Sequence, residues 1–70
     1  MQAPVGTMRF HIEISRDDGA ATEVIYRTSV DEMSPFRARA KAANLLSLYA
    51  GRGANSARVL NDKNEELYKF

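Results

Sequence analysis

A single histidine, no cysteine and nine carboxylates bound the chemistry open to this 70-residue chain. His11 is the one side chain that titrates naturally near neutrality. It lies in an alternating stretch beside Arg9 and Glu13. As a general base it would need a nucleophile or a substrate proton within hydrogen-bond reach. The nearest hydroxyl along its own face is Ser15, about 13 Å away at strand rise. His11 is therefore expected to be a surface histidine. One histidine without cysteine makes a zinc site improbable. Asp17, Asp18, Asp62, Glu65 and Glu66 fall where turns are expected, and their spacing is not that of a calcium loop. Gly51-Arg52-Gly53 follows a helix signal, whereas phosphate loops precede one, so it reads as a helix stop. No catalytic set, metal or cofactor is expected, and the chain is not expected to be an enzyme.

Charge is distributed more tellingly than its sum of +1. Between Ser34 and Asn61 there are five basic residues (Arg37, Arg39, Lys41, Arg52, Arg58) and no acid. Arg37 and Arg39 lie near a helix N-terminus, where the macrodipole disfavours cations, so compensation by Asp31, Glu32 or a partner is expected. Arg37, Lys41, Arg52 and Arg58 are the candidate nucleic-acid contacts. The outward sheet face adds Arg9, His11, Arg27 and Lys69. The aromatics that make such platforms grip bases (Phe10, Tyr26, Tyr68, Phe70) are assigned to the core face instead. A one-residue slip in the last strand would expose Tyr68 and Phe70.

The positioning elements follow from periodicity. Residues 34–53, SPFRARAKAANLLSLYAGRG, carry the helix signal. Ser34 is free to cap, Pro35 fits the first turn, five alanines and three leucines favour the helix, and Gly51 and Gly53 end it. At about 100° per residue, Arg37, Lys41, Asn44 and Leu48 share one side. Phe36, Ala38, Ala40, Ala42, Ala43, Leu45, Leu46, Tyr49 and Ala50 occupy an arc roughly 220° wide, beyond the ~100° one core face needs. Residues 8–16 alternate as a half-buried strand, with Met8, Phe10, Ile12 and Ile14 inward. Asp17-Asp18-Gly19-Ala20 is a hairpin turn. Residues 22–28 return, with Val24 and Tyr26 inward and Glu23, Ile25 and Arg27 outward. Residues 55–61 and 66–70 form a second hairpin across a turn in which Asn64 takes the left-handed conformation. There Val59 is set opposite Tyr68, Ala57 opposite Phe70, and Leu60 opposite Leu67.

These elements make one ββαββ domain over residues 8–70, an α+β fold of two layers, behind a flexible tail at residues 1–7. The expected strand order is 2-1-3-4, with 1-2-3-4 as the alternative because it would require a parallel pair. A chain this short buries only about 60% of its unfolded surface, so oligomerisation would help it. The wide apolar helix arc and the outward Ile25, Leu48, Leu60 and Leu67 form the candidate partner surface. A homodimer or another protein partner is the leading expectation, and nucleic acid the second. No apolar run approaches the ~20 residues of a membrane span. The N-terminus lacks signal-peptide character, and a cytoplasmic location is expected.

Phe10-His11-Ile12, Asp18-Gly19, the alanine-rich helix running into Leu45-Leu46, and the closing hairpin from Val59-Leu60-Asn61-Asp62 to Leu67-Tyr68 together resemble small uncharacterised bacterial proteins with a ββαββ layout. The resemblance spans residues 8–70. It implies a fold and brings no catalytic residues with it. Such proteins often have glycine in the second turn, where this chain has Asn64.

Overall fold

The computed structural model describes residues 6–70, so most of the tail expected at residues 1–7 lies outside the described residues. The elements in order are β1 (Met8–Asp17), β2 (Thr22–Glu32), α1 (Pro35–Tyr49), a short 3-10 turn (Ala50–Arg52), β3 (Ser56–Asn61) and β4 (Glu66–Lys69). They form a four-stranded antiparallel sheet in the order β2-β1-β3-β4, with α1 packed on one face. The helix carries the chain back across the sheet. β3 therefore enters antiparallel to β1, and the order 1-2-3-4, with its parallel pair, is not adopted.

Local chemistry explains the helix ends. Ser34 is extended (φ −155°) and its Oγ accepts from the Arg37 backbone N–H at 3.3 Å, while Pro35 occupies the first turn. At the other end Gly53 has φ +92°, and a Cβ built there would lie 3.3 Å from the Arg16 Cδ. Only glycine meets both demands without strain.

The apolar arc of α1 is wide in sequence and narrow in contact. Ala38 and Ala42 are fully buried, and Leu45, Leu46 and Tyr49 pack partly against the same cluster. These five residues lie within about 100° of helix, the width of one core stripe. Two alanines at the contact let the helix approach closely over Phe10, Ile12, Ile14, Ala57 and Val59, all buried. Ala40, Ala43 and Ala50 are left in solvent, together with Phe36 (66% exposed). Tyr49 stacks on Tyr26 of β2 with ring centroids 4.8 Å apart, and Lys41 reaches Glu32 at the end of β2. Arg39 on the opposite flank lies over Tyr68 and Phe70, 5.7 and 5.3 Å from the ring centroids.

Two bulges correct the expected face assignments. Ile14 pairs with Tyr26 but Ser15 pairs with Val24, so Ile25 is the extra residue in β2. Val24 consequently stands with Ser15 on the face away from the helix, 46% exposed, and Ile25 packs against the core instead of facing outward. In the second hairpin Val59 pairs with Tyr68 and Ala57 bonds Phe70, as expected. Leu60 however pairs with Glu66, which makes Leu67 the extra residue. Leu60 stands on the outward face opposite His11, as expected, but its neighbours there cover it, leaving it 5% exposed. Period-2 reading has no means of registering such an insertion.

Candidate functional site

The sheet face away from the helix collects the polar chemistry of the chain. β1 is central, so its outward residues meet cross-strand neighbours on both sides. Glu13 pairs with Arg27 on β2 and with Arg58 on β3. The Arg58 Nη2 donates to Glu13 Oε1 at 2.7 Å and its Nε to the same oxygen at 3.1 Å. Arg27 donates to the other oxygen, Oε2. Arg58 also approaches Glu66 of β4 at 3.5 Å. A row of alternating charge, Arg27–Glu13–Arg58–Glu66, thus crosses all four strands. It forms part of an open groove lined by His11, Glu13, Arg27, Arg58, Leu60 and Asn64.

Glu13 is 8% exposed. Burial alone pushes its carboxyl up. The hydrogen bonds and charge of Arg58, with those of Arg27, outweigh burial and hold the carboxyl below its ordinary value. With both oxygens engaged by guanidinium groups, Glu13 is in no position to act as a base or to orient His11. Asp18, in the first turn, is likewise held low, chiefly by the backbone N–H of Ala21 and then that of Ala20.

His11 does meet a hydroxyl, though not Ser15. Its Nδ1 lies 2.8 Å from the Oγ of Ser29, its cross-strand partner on β2. Sequence reasoning missed Ser29 by ending the return strand at Thr28, whereas β2 runs to Glu32. The signal was present: Tyr26, Thr28 and Val30 continue the alternation. A histidine beside a serine is one element of a nucleophile–base pair. The pair becomes competent when a third group orients the base, and on this face the candidate for that role, Glu13, is committed to the two arginines.

The expected contact residues do not converge. Arg58 is on the open sheet face, while Arg37, Lys41 and Arg52 belong to the helical segment on the other side. Lys41 is paired with Glu32 at 3.1 Å, and the Arg52 guanidinium lies 5.7 Å from the centre of the Tyr49 ring. Among the described residues, Arg37, Arg39 and Arg52 have no carboxylate within ion-pair distance. The acid near the helix, Glu32, therefore compensates Lys41 and neither Arg37 nor Arg39. Arg9 pairs with Asp31 and Arg16 with Glu23. Of the expected apolar partner surface, Leu48 is 76% exposed and Leu67 38%, Ile25 packs against the core, and Leu60 faces outward but is covered by its neighbours on the polar face. Met33 (63%) and Phe36 add exposed apolar area near the start of α1.

Among the described residues no group of three or more His, Asp or Glu side chains is placed to hold a metal ion. No described helix is long and apolar enough to cross a membrane. Comparison with family models, with curated proteins and with solved structures finds no match for the chain, so the resemblance to small bacterial ββαββ proteins rests on layout alone.

Proposed function

We propose that this chain is a small protein-interaction module without catalytic chemistry of its own, working as a homodimer. The observation that carries the reading is the exposure of Met33, Phe36 and Leu48 on the helical side of a domain too small to cover them. Large apolar side chains left in solvent are characteristic of association surfaces. A closed two-fold dimer is the commonest way for a short chain to bury them. The polar face supports the same reading from the other direction, because its cations and acids are spent on one another across the strands. Sedimentation velocity over low to high micromolar concentrations tests it: twice the chain mass is expected, and a strict monomer throughout overturns the homodimer.

A second reading, weak nucleic-acid binding, is favoured by Arg37 and Arg39 of the helix and Arg52 of the turn after it, which have no acidic partner among the described residues. It predicts DNA or RNA affinity that falls steeply between low and physiological salt. Absence of any shift at low salt removes it.

A further inference from the structure

The two edges of the sheet differ in kind. β4 is four residues long, bulged against β3 and carries Lys69, all features that discourage pairing with another chain. β2 is eleven residues long, and beyond the bulge its stretch from Tyr26 to Glu32 is regular. It contains neither proline nor lysine, and among the described residues it has one strand neighbour, β1.

The register shows which backbone groups that edge presents. Ala57 exchanges both of its backbone hydrogen bonds with Phe70, so its N–H and C=O point to β4. In an antiparallel ladder the direction alternates residue by residue. Arg58 therefore points to β1, and its partner Glu13 points back to β3. Ile12, and with it Phe10, then points to β2 and bonds Thr28 and Val30. The N–H and C=O of Arg27, Ser29 and Asp31 are left facing outward along the open edge. The side chains of these three residues all stand on the charged face, being paired with Glu13, His11 and Arg9.

We propose that a second copy of this chain adds to β2 antiparallel, with the two-fold axis at Ser29, and makes one continuous eight-stranded sheet. In that register Ser29 faces Ser29 of the second copy, and Arg27 faces Asp31 of the second copy, twice by symmetry. Three outward-facing pairs supply about six backbone hydrogen bonds. Centring the pair on Arg27 or on Asp31 instead would set like charges face to face, which disfavours those registers. The Ser29 register also continues the internal pattern. Arg27 is 65% exposed at its side chain and has donors to spare beyond Glu13. Asp31 already accepts from Arg9. The row becomes Glu66–Arg58–Glu13–Arg27, then Asp31 and Arg9 of the second copy, alternating in sign across the junction. Both helices lie on the same face of this sheet. The flank that bears Leu48 is on the β2 side, as the Lys41–Glu32 contact shows, and so turns towards the axis.

The inference rests on the homodimer reading and names its interface, so the test separates the two. The full chain is compared with Ser29→Pro and Ser29→Cys by sedimentation and by non-reducing gel after mild oxidation. Proline at 29 removes an N–H that points to the open edge and leaves the bonds to β1 in place, so the variant is expected to keep its circular dichroism and run as a monomer. The chain has no cysteine. Ser29→Cys therefore carries the sole thiol, and at an axial antiparallel pair the Cα separation suits a disulfide. Near-complete cross-linking is expected, with Leu48→Cys as the comparison for a helix-face dimer. A dimer that survives Ser29→Pro and cross-links at Leu48→Cys but not at Ser29→Cys overturns the edge interface and keeps the homodimer. A monomeric wild-type chain overturns both. Should Ser29→Pro fail to fold, the cysteine pair decides the matter alone.

Discussion

Glu13 and Arg58, 45 positions apart in the chain, meet at 2.7 Å across the β1–β3 ladder, and Arg27 closes on the same carboxylate from the other side. A carboxylate at the centre of a sheet face would be costly without partners. Two arginines in register, one on each neighbouring strand, make it tolerable. This arrangement sets the acid stability of the fold. The pKa of Glu13 is lower folded than unfolded, so as pH falls the unfolded chain takes the proton first. The contribution is fully present above the ordinary carboxyl value of 4.5 and is lost as pH falls through the folded value. Thermal melts of the wild type should drop in this acid range, and those of Glu13→Gln should drop less. At neutral pH the glutamine variant should cost about 1 kcal/mol, a modest figure because both arginines are partly solvated. Parallel acid profiles for the two proteins would contradict this account.

Ala42 sits fully buried where α1 meets the sheet. A larger side chain there has no space without moving the helix. Ala42→Leu should destabilise by about 1–3 kcal/mol in chemical denaturation, through overpacking. Ala43→Leu, one position along and exposed, should stay within about 0.5 kcal/mol.

Asn64 has φ +63° in the β3–β4 turn, and its N–H donates to the Asn61 carbonyl at 3.0 Å. The left-handed region penalises a β-branched residue, so Asn64→Val should cost about 1–2 kcal/mol. Asn64→Gly should be close to neutral. Equal melting temperatures for the valine and glycine variants would show that the turn is not held in this conformation.

Asn55 extends the β1–β3 pairing with its side chain. Its Oδ1 accepts from the Asp17 N–H and its Nδ2 donates to the Asp17 carbonyl, both at 2.8 Å. The amide thus imitates the next residue pair of the ladder. Asn55→Ala should cost about 1 kcal/mol. Amide hydrogen exchange at Asp17 should speed up first, since the loss is local.

Much of the fold was legible because the chain obeys two periods without ambiguity. Phe10, Ile12 and Ile14 on one side of β1 dictate a half-buried strand, and Ser34-Pro35 with the alanine run dictates the helix start. The left-handed Asn64 and the partners Val59–Tyr68 and Ala57–Phe70 follow from counting back from the turn. Hidden from counting were the two bulges, which moved Val24 outward, Ile25 inward and Leu67 out of register. An inserted residue leaves composition and local propensity unchanged and declares itself only when two strands are laid side by side. The candidate site was less legible still. Glu13 looked like one of several outward charges, and Arg58 like a spare cation for a nucleic acid. Glu13 is closed in by Arg27 on the next strand of its own hairpin and by Arg58 on a strand 45 positions away.

The amino-acid order by itself therefore determined the element types, the helix cap and the turn at Asn64, because each depends on local backbone preference or on which face must be buried. It favoured the strand order 2-1-3-4 over 1-2-3-4, and the pairing of β3 with β1 decided between them. Tertiary structure alone decided the partners: His11 with Ser29, Arg39 over Tyr68 and Phe70, and Glu13 between Arg27 and Arg58. Those contacts depend on register between strands, and register is a property of the assembled sheet.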